Sequence, residues 1–323
     1  MRSRLALAVA AASVAVAGAV VMLGAGPANS ASRGTVNVFY PGSMVNLNEQ
    51  HVGPAFQQKT GYQYQGRAAG SLAIVSEIKS GLFRPDVVEL ADPAVNKLLM
   101  GRRGYLSWYV TMARGQLVIG FDPRSKYAAK LRAAQHHHLA WYRALLQPGL
   151  RLGRTDPRLD PKGYRTLFMA GLAQRLYHKP HLERRLLGTP ENVSQIFPEE
   201  VLAARLQTGQ LDAAILYLSE ARDLHIPYIS LPARINLGSP RYTRLYATQH
   251  FHPSGSVDVT GSPILYTVSI ARRPANEAGA RAFVAFLLSK RGRSLSRAHG
   301  FLPAEPSLHG RAPPSIRRLI RAR

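Results

Sequence analysis

The chain has 323 residues and no cysteine, and its 42 Lys and Arg against 18 Asp and Glu give a formal net charge of +24. The missing cysteine excludes disulfides, thiolate metal sites, cysteine nucleophiles and a lipid anchor on cysteine. A hydrophobic content of 46% with two Trp, 14 Tyr and 10 Phe excludes a disordered polybasic chain, and the length allows about two domains, each with a core of its own.

The amino terminus has the pattern of a secretory signal. Arg2 and Arg4 precede the uncharged residues 5–23, and Pro27 with several small residues follows. This order predicts a cleaved signal peptide over residues 1–32, and an uncleaved membrane anchor is the alternative. The mature chain is then expected to work outside the cytoplasmic membrane, in a periplasm or the extracellular space.

Strands and helices alternate along the first part of the mature chain. This alternation predicts an α/β fold with a parallel sheet. Strands are predicted at 35–40, 62–67, 86–90, 117–121, 213–217 and 264–270. Helices are predicted to begin near Ser43, Ser71 and Asp92 and to cover 141–146, 164–176, 199–206 and 277–288.

The charge is unevenly distributed. Residues 33–100 carry six basic and five acidic residues, a net of +1, whereas residues 101–190 carry seventeen and four, a net of +13. This difference favours two domains with different surfaces, and the charge leaves nucleic acid, a membrane or a small anion open as partner. The tail 307–323 has five Arg and no acid, so we expect it to be loosely ordered.

Two corners between a strand and a helix carry the first candidate site. Gly42-Ser43 and Gly70-Ser71 each place a small residue and a hydroxyl at a helix start, where backbone N–H groups are unpaired. Because parallel strands end at the same sheet edge, the two corners are predicted to converge on one oxyanion, held by N–H and hydroxyl donors. Plain helix capping is the alternative.

A third corner lies in the basic block. Asp160 and Pro161 begin a helix that continues through Gly163, and this helix start is predicted either to close over the same ligand or only to be capped by Asp160. Tyr217, at the end of a strand, offers a phenol donor to the ligand or packs in the core.

Other chemistries find little support. His136, His137 and His138 are consecutive and do not share one helix face, so they predict no metal site. The sequence lacks a nucleophile elbow, a zinc-protease motif, a P-loop and a dinucleotide fingerprint, so a secreted hydrolase has no motif behind it. Nucleic-acid binding is supported by charge alone.

A series of short motifs along the chain resembles the motifs of a known protein family. The motifs are Val38-Phe39-Tyr40-Pro41-Gly42-Ser43, Ala68-Ala69-Gly70-Ser71, Pro85-Asp86-Val87-Val88-Glu89-Leu90-Ala91-Asp92, Met112-Ala113-Arg114, Ser125-Lys126-Tyr127, Asp160-Pro161-Lys162-Gly163-Tyr164-Arg165, Gly209-Gln210-Leu211-Asp212-Ala213-Ala214 and Leu231-Pro232-Ala233-Arg234-Ile235-Asn236-Leu237-Gly238. In order and spacing the chain resembles the molybdate/tungstate-binding proteins of ABC importers, in particular the tungstate-binding branch, over about residues 35–304.

The resemblance implies a two-lobed type II periplasmic-binding-protein fold with the ligand in the cleft between the lobes. Lobe I is expected to comprise 33–114 and 236–304, lobe II 115–235, and the basic tail 305–323. The implied function is a non-enzymatic receptor that captures a tetrahedral oxyanion, molybdate or tungstate, by hinge closure and delivers it to a membrane permease. It implies no cofactor, no metal ion apart from the oxyanion, no nucleic acid and a monomeric protein.

The resemblance also assigns residues. Ser43 and Ser71 match the family's two oxyanion-binding serines, and Asp160 matches a carboxylate that gives the metal centre an extra oxygen in the tungstate branch. Leu216 stands where that branch has its second carboxylate, and a Leu cannot coordinate, so we expect a tetrahedral, hydrogen-bonded anion and a capping role for Asp160. Tyr217 resembles a tyrosine donor of related molybdate binders.

Gly70 and Gly163 complete the predicted ligand-binding set. The alternatives are a receptor for another small anion or an organic solute, and a secreted basic protein for adhesion or nucleic-acid binding. Because the predicted donors are neutral, the positive charge is expected to steer anions or to suit an acidic or anionic exterior, and not to hold the ligand. If so, salt slows capture more than it weakens binding.

Overall fold

Strands from distant parts of the chain build two main sheets in the computed structural model, which describes residues 33–252 and 258–321. The predicted signal peptide lies outside the described residues. The strands are β1 Thr35–Pro41, β2 Gln63–Ala69, β3 Val87–Leu90, β4 Trp108–Arg114, β5 Leu117–Phe121, β6 Leu152–Gly153, β7 Ala213–Tyr217, β8 Tyr228–Ser230, β9 His250–Phe251, β10 Val259–Thr260, β11 Leu265–Ile270, β12 Leu302–Pro303 and β13 Leu308–Gly310.

The helices cover the sheets and supply most of the connections. They are α1 Gly53–Thr60, α2 Ser71–Lys79, α3 Pro93–Leu99, α4 Ala128–Gln135, α5 Trp141–Leu145, α6 Pro161–Leu176, α7 Leu182–Leu187, α8 Glu199–Gln207, α9 Leu218–Asp223, α10 Thr243–Tyr246, α11 Glu277–Leu288, α12 Lys290–Ala298 and α13 Pro314–Arg321. Short 3₁₀ turns cover Gly42–Met44 and Pro240–Tyr242, and a π-helical segment covers Leu47–Val52. Among the described residues, we find no helix with the length and apolar character needed to cross a membrane.

The larger sheet has the strand order β12-β4-β11-β3-β1-β2, with β13 also paired to β4. β1 runs parallel to β2 and to β3, as the alternation of strands and helices predicts. β11 runs antiparallel between β3 and β4. The mixed α/β class predicted from the sequence is therefore confirmed, with antiparallel strands added at one side.

The smaller sheet has the order β6-β7-β5-β8. β5 lies antiparallel to both β7 and β8, and β6 lies parallel to β7. The chain leaves the larger sheet after β4 and enters the smaller one at β5, only two residues later. This short passage brings the two sheets close together.

The carboxyl ends of β1, β2 and β3 meet at one edge of the larger sheet. Pro41 pairs with Ala69, so the Gly42 and Gly70 corners follow neighbouring positions on adjacent strands. Strands in a sheet lie about 4.8 Å apart, so the two corners are next to each other. The convergence of these corners, predicted from the strand order, is present in the structure.

The carboxyl-terminal tail is ordered, which differs from the loose tail expected from its charge. β13 pairs antiparallel with β4, and Ile316 on α13 is buried in the main core. Apolar residues at helical spacing, Ile316, Leu319 and Ile320, pack against the core and place the Arg residues between them on the outer side. The density of charge concealed this amphipathic pattern.

A carboxyl group is buried inside the larger sheet, away from the corners. Glu89 on β3 is fully buried, and Asn48 Nδ2 donates to its Oε2 over 2.6 Å. Glu89 Oε1 and Asn48 Oδ1 have no hydrogen-bond partner among the described residues. Burial raises the pKa of Glu89 to about 8, against the opposing hydrogen bond from Asn48. The raised pKa favours the protonated, neutral form of this carboxyl group.

We expect Glu89→Gln to preserve folding and to remove a pH dependence. The pKa of Glu89 is raised in the folded protein and ordinary in the unfolded chain, so its contribution is complete in acid and is lost as pH rises to about 8. The wild type should therefore lose up to about 1.4 kcal/mol per pH unit relative to Glu89→Gln between pH 5 and 8, and no more above it. Urea unfolding of both proteins across this range measures the difference, and parallel curves contradict the assignment.

Candidate functional site

The Gly42-Ser43 corner faces helices of the smaller sheet. A Cβ on Gly42 would lie 2.8 Å from the Glu200 backbone nitrogen and 2.9 Å from Glu199 Cβ, so only glycine allows α8 to approach this closely. Ser43 is buried, and its hydroxyl accepts a long hydrogen bond, 3.5 Å, from Tyr266 OH. The Ser43 side chain does not cap the helix that follows, which corrects the capping alternative at this corner.

The Gly70-Ser71 corner is in contact with the start of α6. A Cβ on Gly70 would lie 2.4 Å from the Leu159 carbonyl oxygen. That same oxygen accepts from the backbone N–H groups of Leu72 and Ala73 at 3.1 and 3.2 Å. These two N–H groups, which were predicted to bind an anion, are therefore occupied by a carbonyl group of the opposing loop.

Ser71 is fully buried and serves a different neighbour from the one expected. Its Oγ accepts from the backbone N–H of Ala91, which follows β3, over 3.1 Å. Gly70, and not Ser71, occupies the N-cap position of α2. Ser71 thus ties the second corner to the third strand end, and its hydroxyl proton remains available as a donor.

Asp160 caps α6, which is one of the two roles predicted for it from the sequence. Its Oδ1 accepts from the Lys162 backbone N–H at 2.9 Å, and the side chain is buried. Burial and the charge of Glu199 raise the pKa of Asp160 to about 8, although Lys162 acts in the opposite direction. The Thr155 side chain is the neighbour of the second oxygen, Oδ2, and it also acts to lower the pKa.

Gly163 lies in the first turn of α6 and packs on the chain before it. A Cβ there would lie 2.5 Å from the Asp156 carbonyl carbon and from the Pro157 nitrogen. This close approach explains the glycine through packing alone. Its predicted contact with a ligand stays a prediction.

Lys162 occupies the centre of a group of buried carboxylates. Its Nζ donates to both carboxylate oxygens of Glu220, at 2.8 and 2.9 Å, and the side chain is fully buried. Glu199 Oε1 lies 3.3 Å from the same Nζ, a charge contact without hydrogen-bond geometry. Burial acts to lower the pKa of Lys162, but the charges of Glu220, Glu199 and Asp160 outweigh it, so the pKa lies above its usual value.

Arg165 joins the two sheets through a second buried network. Its guanidinium donates to Tyr217 OH at 2.8 Å and to Asp92 Oδ2 at 2.9 Å. Tyr164 OH donates to the same Asp92 oxygen at 2.7 Å. Asp92 follows β3 and caps α3 through its other oxygen, which accepts from the Ala94 N–H at 2.8 Å. One carboxylate at the corner edge therefore receives donors from both sides.

Tyr217 ends β7 with its side chain fully buried between Arg165 and Tyr266. Its ring meets Tyr266 edge-on, with 5.9 Å between the centroids. Since Tyr266 OH donates to Ser43, the Tyr217 phenol is connected to the first corner through one aromatic neighbour. Leu216 points the other way, into the core cluster that includes Val118 and Leu202, which agrees with the expectation that it does not coordinate.

Unpartnered polar atoms gather among these residues. Both carboxylate oxygens of Glu199 and Ser219 Oγ are buried without a hydrogen-bond partner in the described part of the chain, and Asp160 has only the Thr155 side chain beside its second oxygen. Buried polar groups are nearly always paired, so such a concentration requires an explanation. Ionised carboxylate oxygens accept and do not donate, so an anion is matched by these carboxyl groups only where one of them is protonated.

Five residues of this site were not predicted as site residues: Asp92, Lys162, Arg165, Glu199 and Glu220. Asp92, Lys162 and Arg165 lie within motifs of the family resemblance, but the sequence assigned a helix start to Asp92 and no ligand role to any of the three. Glu220 stands three residues after β7 and accepts from the Tyr217 backbone N–H at 2.7 Å. Glu220 could have been found as an acidic residue that directly follows a strand and begins a helix. Glu199 could have been found as an acidic residue in the first turn of α8.

Comparisons with known proteins agree with this architecture. Residues 36–302 match the family model described as bacterial extracellular solute-binding protein. A putative ABC transporter molybdenum-binding protein of Haloferax volcanii is 33% identical over 87% of this chain and 86% of its own length. The molybdate/tungstate-binding protein WtpA of Pyrococcus abyssi is 28% identical over 80% of both chains. These matches confirm the family predicted from the motifs.

Solved structures share the fold at low sequence identity. The periplasmic molybdate-binding protein of Azotobacter vinelandii superposes with a TM-score of 0.58 at 17% identity, covering 83% of this chain and 99% of that one. The sulfate-binding protein SubI of Mycobacterium tuberculosis gives 0.52 at 14% identity, covering 84% and 87%. The predicted type II periplasmic-binding-protein fold is confirmed. The chain belongs to the bacterial extracellular solute-binding proteins.

Proposed function

We propose that this protein is an extracytoplasmic receptor of an ABC importer that captures a tetrahedral oxyanion, molybdate or tungstate, and delivers it to a membrane permease. The names of the relatives from Haloferax volcanii and Pyrococcus abyssi support the ligand class. The observation that carries the proposal is the meeting of the Ser43 and Ser71 corners with the buried Arg165–Tyr217 pair at the strand ends of the larger sheet, since these groups carry hydrogen-bond donors.

The two sheets are proposed to be the centres of two lobes, 33–114 with 236–304 and 115–235, which open and close about the connections between them. Closure then brings α6 and α8 against the corners, as the close approaches at Gly42 and Gly70 indicate. Release requires the lobes to separate, because the site residues are buried from solvent. Hinge closure of this kind is a common way to sequester a small ligand.

Donors for the anion are proposed to come from both sides. Ser43 and Ser71 contribute hydroxyl groups from the larger sheet, and the Arg165–Tyr217 pair contributes a cation and a phenol from the smaller one. Arginine beside a neutral donor recognises oxyanion oxygens well, because the guanidinium carries several fixed N–H groups. This differs from the purely neutral donor set expected from the sequence.

The charge balance limits how the anion binds. Asp160, Glu199 and Glu220 carry three negative charges when ionised and Lys162 one positive charge, a net of −2. A like-charged pair 4 Å apart costs about 4 kcal/mol at an effective dielectric constant of 20. A dianion therefore requires Asp160 in its protonated form, as a donor, or direct coordination of the metal centre by a carboxylate.

Calorimetric titration of the purified chain with molybdate, tungstate, sulfate and phosphate tests the ligand class. We expect stoichiometric binding of molybdate or tungstate and weak or no heat from the other two. If only sulfate binds tightly, the protein is an oxyanion receptor whose ligand is sulfate and not molybdate or tungstate. Heat from none of the four rejects the oxyanion proposal.

The double variant Ser43→Ala with Ser71→Ala should bind the oxyanion at least about 100-fold more weakly, because each lost hydrogen bond to a charged group contributes about 1.5–3 kcal/mol. The matched control is Ser76→Ala on the same helix α2, whose exposed hydroxyl donates only to the Leu72 carbonyl oxygen. We expect this control to bind like the wild type. An unchanged affinity in the double variant moves the site away from the corners.

A further inference from the structure

Two histidines and an aspartate meet at a second place where the two sheets are joined. His51, Asp223 and His299 each present a ligand atom, and these atoms all lie within 4.8 Å of one another. The His51 and His299 rings are stacked with centroids 3.7 Å apart. His299 Nδ1 contacts Asp223 Oδ1 directly. All three side chains are half-buried, so a small ion reaches them from solvent.

The three residues come from different elements. His51 lies on the π-helical segment between β1 and β2 of the larger sheet, and His299 follows α12, which packs on that segment. Asp223 ends α9, the helix that follows β7 of the smaller sheet. The cluster therefore spans the two sheets, outside the corner site.

The surroundings hold the cluster in place. Asn46 Nδ2 donates to Asp223 Oδ2 at 2.6 Å, which leaves Asp223 Oδ1 facing the histidines. Gly300 follows His299 with a positive φ of 82°, and a Cβ on it would lie 3.0 Å from Ser219 Cα on α9. The backbone after His299 thus lies directly on the helix that carries Asp223. The His51 ring makes no hydrogen bond among the described residues, so its nitrogens are open to a ligand.

We propose that His51, Asp223 and His299 bind one divalent transition-metal ion of the zinc class and thereby tie α9 to the larger sheet. Two imidazoles and one carboxylate, with water in the fourth position, form a common ligand set for zinc. Bonds of about 2.0–2.2 Å in a tetrahedral arrangement place the ligand atoms about 3.3–3.5 Å apart. The three ligand atoms lie within 4.8 Å of one another, so small side-chain movements suffice to bring them around one ion.

The donor set selects against other cations. Calcium and magnesium prefer several oxygen ligands, whereas this cluster offers one carboxylate and two nitrogens. The exposed Arg222 precedes Asp223, and Arg297 lies two residues before His299. Their positive charge disfavours a hard ion held by charge alone. An ion held by imidazole nitrogens is less affected.

Cobalt(II) titration of the full mature chain, followed by visible absorption, tests the site, since tetrahedral Co²⁺ in nitrogen and oxygen ligands absorbs far more strongly than octahedral Co²⁺. We expect one equivalent to give the tetrahedral spectrum and one equivalent of zinc to abolish it. His51→Ala and His299→Ala should each weaken binding at least about tenfold, a change of 1.4 kcal/mol. Asp223→Asn should do the same.

The matched control replaces His136, His137 and His138 together by Ala, which removes the other histidine group and leaves this cluster intact. That variant should keep the tetrahedral spectrum. The proposal is overturned if the control loses the tetrahedral spectrum while His51→Ala keeps it. It is also overturned if the spectrum stays octahedral in every protein, because His299 and Asp223 then form an ion pair only.

A second measurement tests whether the bound ion links the two sheets. Zinc at 100 times its dissociation constant should stabilise the wild type by about 2.7 kcal/mol in chemical unfolding, by mass action. It should also slow amide exchange in both α9 and the π-helical segment. Slower exchange in only one of them, or zinc binding that survives Asp223→Asn, overturns the bridging role. Both measurements are made without oxyanion, so they do not depend on the proposed transport function.

Discussion

Lys162→Met should lower the free energy of unfolding by about 3–5 kcal/mol at pH 7.5, more than any surface substitution in this chain. The methylene stem is retained, so little packing is lost. The ammonium group disappears from between Glu220 and Glu199, both of which are buried. A buried carboxylate without its counterion is strongly unfavourable, because neither water nor a donor replaces the lost charge.

The loss of stability in Lys162→Met should also become smaller at acidic pH. Burial already raises the pKa of Glu220, and loss of the Lys162 charge raises it further. Protonation then neutralises the carboxyl group, so the two proteins should approach each other in stability as the pH falls. Urea unfolding of both between pH 5 and 8 measures this convergence.

Arg281→Met is the matched control for the loss of a paired cation. Arg281 pairs with Glu277 one turn earlier on α11 and donates to Ser315 Oγ on α13 at 2.9 Å, and the side chains of the ion pair are exposed. An exposed pair of this kind contributes at most about 0.5 kcal/mol. Equal losses in the two variants contradict the importance of the buried network. The double variant Lys162→Met with Glu220→Gln should regain part of the loss, since it removes one of the unpaired charges.

The parts of the fold that depend on local pattern were predictable. β5, β7 and α11 begin and end at the predicted residues, because each is an apolar run or an amphipathic stretch between clear boundaries. The meeting of the Gly42 and Gly70 corners followed from the parallel order of β1 and β2. Alternation of strands and helices determines these features without reference to distant residues.

The remainder depends on contacts between distant segments. β4 was not predicted, although it pairs with β11, β12 and β13, because Trp108–Arg114 mixes large, polar and charged residues without a clean alternation. β11 joins the larger sheet about 150 residues after the chain has left it. Long-range pairing of this kind leaves no local signal.

The site illustrates the same limit. Lys162, Glu199 and Glu220 look like ordinary surface charges in the sequence, since polar residues at helix starts are usually capping or solvated. They are buried because α6, α8 and α9 begin at the interface between the two sheets. Leu216 suggested a missing carboxylate, and the structure places two others, Glu199 and Glu220, around Lys162.

Oxyanion affinity should fall about tenfold per pH unit above pH 8 and change little between pH 6 and 7.5. The pKa of Asp160 is raised to about 8, so the carboxyl group is protonated over the lower range and able to donate to an anion from Oδ2. Above pH 8 the free protein must take up a proton before it binds, and each unit of pH then costs one factor of ten. Calorimetry with molybdate between pH 6 and 9.5 measures the slope.

Asp160→Asn should flatten this profile, because an amide keeps a donor at every pH. Asp156→Asn is the matched control, since Asp156 lies four residues earlier and pairs with Arg158, and hydrogen bonds from Arg158 lower its pKa in spite of partial burial. That variant should show the wild-type slope. An affinity that rises with pH in the wild type, and is lost in Asp160→Asn, contradicts the protonated donor. It means that ionised Asp160 coordinates the metal centre of the anion, and the ligand is then bound with more than four oxygens.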